Sequence, residues 1–144
     1  MSTVSFVIPG VAVGKGRPKF ARRGNFVTTY TPEKTASYEN LVKLHSGIAM
    51  NGRNPFTEHV GCTISIEVIP PASWSNKKRT AALCGDLLPT SKPDIDNVVK
   101  GIFDAMNGIV WIDDKQVVDL TVRKRYAETA RVLVAVSEFE GNGK

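Results

Sequence analysis

The chain is poor in the residues on which several large protein classes depend. Its two cysteines, Cys62 and Cys84, stand in unrelated surroundings with no partner at zinc-ligand spacing, which excludes a disulfide framework and a zinc-finger type of site. Both are expected to be reduced. The two histidines, His45 and His59, do not stand where either would activate a nucleophile, and no G-x-S-x-G elbow or Cys/His nucleophilic pairing occurs. The "GKG" at 14–16 lacks the spacing of a phosphate-cradling P-loop. No apolar run approaches the roughly 20 residues that cross a bilayer. The opening "MSTVSFVIPG" has no basic start, apolar middle or small-residue cleavage site, so a cytoplasmic location is expected. Internal repeats and low-complexity segments are absent as well.

What remains is the composition of one globular domain: 144 residues, 42% hydrophobic and 23% charged. The net charge of +5 is unevenly spread. "KGRPKFARR" (15–23) carries Lys15, Arg17, Lys19, Arg22 and Arg23 with no acid, and Lys77, Lys78 and Arg79 form a second basic cluster. Acids concentrate elsewhere, with Asp94, Asp96, Asp104, Asp113, Asp114 and Asp119 all falling between 94 and 119. Basic flanks around an acidic focus suit a protein that holds a polyanion and a hard cation together. Composition taken alone favours ordinary surface charge.

Periodicity predicts an α+β fold. "VSFVIPG" alternates as a first strand, and the glycines of residues 10–25 predict a loop that presents the first basic cluster on a mobile arm. Phe26 to Tyr30 reads as a short strand. Thr31-Pro32 starts a helix that runs to about Met50, with Tyr38, Leu41, Val42, Ile48 and Ala49 as its buried stripe. Residues 60–69 alternate as a strand that buries Cys62, Ile64, Ile66 and Val68. A short basic helix over Ser73–Leu83 and a second long helix from about Asn97 to Met106 follow. "IVWI" reads as the start of a strand, and "VVDLTVRKRYA" and "ARVLVAVSEFE" as two more. The expected architecture is a single domain over 1–144, a mixed β-sheet with two main α-helices packed on it.

The chemistry is concentrated in "KPDIDNVVK" (92–100). Pro93 keeps Lys92 extended, so Asp94 and Asp96 are expected to approach the helix in extended form and on one side, with Asp96 as the N-cap and Lys100 one turn in. Singly, these are a loop acid, a cap and a surface lysine. Together they are harder to account for, because two carboxylates held side by side repel unless a cation compensates. "WIDDKQVV" supplies a further acid, Asp113 or Asp114, at what reads as a polar turn. Three carboxylates make a hard oxygen cage suited to magnesium or manganese, and no Cys or His cluster favours a softer metal. Such an ion in a basic protein points to phosphodiester hydrolysis on nucleic acid, with Lys100 adding positive charge at the reacting phosphate. A non-catalytic DNA-binding protein, in which the acids only cap a helix and a turn, is the alternative that the residues leave open.

The segment "KPDIDNVVKGIFDAMNGIVWIDDKQVVDL" (92–120) resembles the RusA family of endodeoxyribonucleases, the Holliday junction resolvases of the RusA type, whose pattern is P-D-x-D-N-x-x-K-x-x-x-D-A, a turn, and a hydrophobic pair before D-D-x-Q-[VI]. "FVIPGVAVGKGRPKF", "WSNKKRTAAL" and "VRKRYA" extend the likeness over nearly the whole chain. The resemblance implies that Asp94, Asp96 and Asp114 are metal-binding, that Lys100 is the catalytic lysine, and that Asp113 only supports them. It implies a homodimer of bacterial or phage origin that uses magnesium to make paired symmetric nicks across a four-way DNA junction. The basic residues Lys15, Arg17, Lys19, Arg22, Arg23, Lys77, Lys78 and Arg79 would track the phosphates. A general flap or branched-DNA nuclease is the alternative within the same chemistry.

Overall fold

The computed structural model describes residues 2–15, 19–23, 26–30 and 33–139, the middle two segments by their backbone alone. Strand β1 (Ser2–Pro9) follows its alternation, with Val4, Phe6 and Ile8 buried and the residues between them exposed. Next come β2 (Lys19–Arg23) and β3 (Phe26–Tyr30), an antiparallel pair with Lys19 opposite Tyr30 and Arg23 opposite Phe26. This corrects the loop expected through residue 25, because pairing with a partner strand outweighs what local composition prefers. Arg17, Gly16, Gly24 and the helix start at Thr31-Pro32 lie outside the described residues.

Helix α1 (Glu33–Met50) buries Thr35, Tyr38, Val42, Ser46 and Met50, a stripe at three- and four-residue spacing. Ile48, expected on that stripe, is 65% exposed, since it lies midway between Ser46 and Met50 and so faces away from them. Strand β4 (Val60–Val68) buries Val60, Cys62, Ile64 and Ile66. Burial pushes the Cys62 thiol up to about 12, which leaves it an inert core group. Helix α2 (Asn76–Leu83) is capped by Ser75, whose hydroxyl oxygen accepts from the Lys78 N–H at 3.2 Å. Helix α3 (Ile95–Met106) turns Val98, Ile102, Ala105 and Met106 into the core.

"IVWI" is a turn, not a strand. Gly108, at φ +81°, reverses the chain directly after α3, and Val110 and Trp111 fold inward to complete burial. The Trp111 Nε1–H donates to Asn107 Oδ1 at 2.6 Å, and its ring meets Phe103 edge-on with centroids 5.1 Å apart. The last strands are β5 (Val117–Tyr126) and β6 (Arg131–Glu138).

The four-stranded sheet has the order β1-β6-β4-β5. Strand β4 is antiparallel to β6 and parallel to β5, so consecutive strands β5 and β6 are not neighbours. The sheet is therefore mixed and the fold α+β, as expected. Buried residues of β1, β4, β6, α1 and α3 form one core on one face of the sheet, while Ser5, Thr63 and Arg123 belong to its opposite face. A parallel β4/β5 pair requires a long crossover. Residues 69–116 make it, and every acid singled out between 94 and 114 lies on that excursion. Among the described residues no helix is long and apolar enough to cross a membrane.

Candidate active site

Helix α3 begins two residues earlier than its apolar spacing suggests. Pro93 disfavours helix at Lys92 only, so Ile95 is already helical and Asp94 takes the N-cap position at φ −71°, ψ 141°. Asp96, expected as the cap, lies inside the first turn, where its negative charge suits the positive end of the helix dipole. The Asp94 carboxylate occupies the capping position without making a capping hydrogen bond. Lys100 stands one turn beyond Asp96 on the same helical face.

Asp114 comes from the end of the crossover, on a short 3-10 turn, Asp114–Gln116. Its neighbour Asp113 caps that turn in a reciprocal capping box with Gln116. Gln116 does more than cap. Its Oε1 accepts from the N–H groups of Ile112 (2.8 Å) and Asp113 (2.9 Å), while its Nε2 donates to the carbonyls of Phe56 (2.8 Å) and Glu58 (2.9 Å). These bonds use the full capacity of the amide and fasten the turn to the segment ahead of β4. Gln116→Ala is expected to lower stability by about 2 kcal/mol, since the bonds contribute about 1 kcal/mol each when buried and less when partly exposed. A fall in melting temperature of roughly 6 °C checks it.

Asp96, Lys100 and Asp114 line one cavity of about 690 Å³ between α3 and β5, together with Asp104 and Asp119. Its apolar wall includes Ile95, Val99, Phe103, Leu120 and Val122. Asp94 lines a neighbouring groove of about 480 Å³ with Lys15, Lys34 and Lys92. Asp94 thus lines a different cavity from Asp96 and Asp114, since a cap residue and a residue two positions into the helix point in different directions. Among the described residues, no three acidic, histidine or cysteine side chains form a ready-made metal group. The donors present still fit a hard divalent ion. Magnesium is commonly held by one or two carboxylates, with waters and substrate phosphates completing its shell. Asp94, Asp96, Lys100 and Asp114 have no side-chain hydrogen bond or ion pair among the described residues, so these charges are uncommitted.

The basic residues divide into those that are free and those that are not. Lys15, expected on a mobile arm, is held by two acids, with its Nζ 2.6 Å from Asp104 Oδ2 and 3.1 Å from Glu39 Oε1. The Asp104 bond outweighs partial burial and raises the Lys15 pKa. Its backbone N–H donates to Asn97 O at 3.0 Å. Gly14 permits this close approach, since a Cβ there would meet the Asn97 Cβ at 3.1 Å. Lys15 therefore ties the loop to α1 and α3. Lys77, Lys78 and Arg79 sit on α2, and the Lys78 ammonium lies 4.2 Å from the centre of the Trp74 ring. Lys19, Arg22 and Arg23 belong to β2, and Arg17 lies outside the described residues. Sequence reasoning left Asp119 and Gln116 without roles, although both belong to the motif "DDKQVVD".

Residues 9–137 match the family model described as Endodeoxyribonuclease RusA. The chain is also similar to YqaN of Bacillus subtilis (strain 168), an uncharacterized protein, with 38% identity over 142 residues that cover 96% of this chain and 98% of the relative. A family match over most of the sequence agrees with an uncommitted Asp96, Lys100 and Asp114 gathered into one cavity, and the chain belongs to the RusA endodeoxyribonuclease family.

Proposed function

We propose that the protein is a magnesium- or manganese-dependent endodeoxyribonuclease that resolves four-way DNA junctions by paired symmetric phosphodiester cleavage, acting as a homodimer. The observation that carries this is the convergence, from a helix and a later turn of one crossover, of Asp96, Lys100 and Asp114 on a single cavity. Asp96 and Asp114 would hold the ion, and Asp94, uncommitted at the same helix start, is the donor that the family resemblance adds. When bound, the ion supplies charge neutralisation and an acidified water. Lys100 sets an ammonium beside the reacting phosphate, where it stabilises charge on the non-bridging or leaving oxygen. Val99, Phe103 and Leu120 give this cavity an apolar wall beside the charged groups. Arg17, Lys19, Arg22, Arg23, Lys77, Lys78 and Arg79 supply sequence-independent phosphate contacts. Two such sites related by a dyad match the near two-fold symmetry of a four-way junction.

The test compares a mobile four-way junction, a flap and a linear duplex, each with magnesium and with EDTA. The junction is expected to be nicked symmetrically in magnesium and left intact in EDTA. Equal rates on flap and duplex would make the protein a general structure-specific nuclease. Tight junction binding with no cutting in magnesium would make it a DNA-binding module.

A further inference from the structure

Lys124 lies on β5 opposite Ile66, a core residue of β4, so its side chain rises from the sheet face that carries the helices. Its ammonium donates to the Ser91 carbonyl at 2.7 Å and to the Pro93 carbonyl at 3.0 Å. Among the described residues these are the only hydrogen bonds that hold residues 87–93, the irregular segment that delivers the chain to Asp94. No carboxylate pairs with Lys124 among the described residues. An ammonium is suited to this position because one compact charge with rotatable donors can bracket two carbonyls that a flat guanidinium would have to straddle. Bonds from a charged donor are also stronger than those between neutral groups.

We propose that Lys124 is a positioning residue for the metal site, fixing the segment 91–93 so that Asp94 and Asp96 leave it in the orientation that receives the ion. The assignment rests on the proposed role of those acids. Lys124 acts through the backbone and touches neither the ion nor the reacting phosphate. Groups that orient metal ligands in this way typically alter affinity or activity by about 10–100-fold when removed.

The experiment measures Mn²⁺ binding by calorimetry in the absence of DNA, the magnesium dependence of junction cleavage, and junction affinity in EDTA. Lys124→Met is expected to weaken Mn²⁺ binding by about tenfold, to shift the magnesium requirement upward in parallel, and to leave junction affinity in EDTA unchanged. Lys124→Arg, which retains donors and charge, is expected to recover part of the metal affinity. Unchanged Mn²⁺ binding in Lys124→Met overturns the proposal, as does a loss of junction affinity in EDTA with a flatter salt dependence, which would make Lys124 a phosphate contact. Should Lys124→Met not fold, Lys124→Gln, which keeps a donor without the charge, is read by the same titrations. Asp96→Asn separates the two levels. If it cleaves and binds Mn²⁺ like the wild type, the metal-site assignment fails; if it loses both while Lys124→Met loses neither, only the role of Lys124 fails.

Discussion

Asp96→Asn is expected to reduce junction cleavage by more than about a hundredfold while junction binding is retained or strengthened. Removal of groups that merely orient a metal ligand costs up to about a hundredfold, so loss of a ligand's charge should exceed that. The side chain is exposed at the start of α3 and has no hydrogen bond or ion pair among the described residues, so little structure depends on it. The charge–dipole interaction it gives up is worth about 0.3–1 kcal/mol. Removing a negative charge beside the phosphates favours binding. Single-turnover cleavage, with junction affinity measured in EDTA, separates the two effects. Asp114→Asn should behave alike. Asp113→Asn supplies the contrast, because asparagine keeps an oxygen able to cap the 3-10 turn and cleavage should stay near the wild-type rate. If affinity and cleavage disappear together in Asp96→Asn, the acid has a structural role.

Trp111→Ala is expected to be the most damaging substitution for stability, at about 3–5 kcal/mol. Trp111 is fully buried, packs edge-on against Phe103 and is bridged to both Asn107 and Phe56. Its removal opens a cavity beneath the turn and leaves the Asn107 side-chain oxygen without its donor. Domains of this kind commonly have only about 5–15 kcal/mol in total. Urea unfolding should show a lower midpoint with an unchanged slope. A loss under about 1 kcal/mol would mean that the indole packs much less tightly than its burial indicates. Cleavage should fall as well, since Trp111 anchors the strap that leads from α3 to Asp114.

The features legible in the sequence were those written in period. Alternation marked β1 and β4, and three- and four-residue spacing marked most of α1 and the buried face of α3, because each pattern reports a face turned toward one core. The apolar run Ile109 to Ile112 misled, since a short run of this kind suits a buried turn as well as a strand, and only Gly108 decides between them. No local signal places β4 between β5 and β6. At the site, the kinds of residue were legible and their directions were not. A difference of one or two residues in the onset of α3 sends Asp94 and Asp96 into separate cavities. Lys15 looked free because its partners, Glu39 and Asp104, are distant in sequence.

The parallel pairing of β5 with β4 also makes the cavity beside α3 a feature that depends on a late strand of the chain. Asp94, Asp96 and Lys100 are synthesised well before β5, yet the wall opposite them, from Asp114 through Val122, is held in place by the parallel pairing of β5 with β4. A ribosome-bound or prematurely terminated chain that stops before this strand carries most of the acids and none of the enclosure. The cavity that gathers Asp96, Lys100 and Asp114 is therefore closed by one of the last strands of the chain to be made.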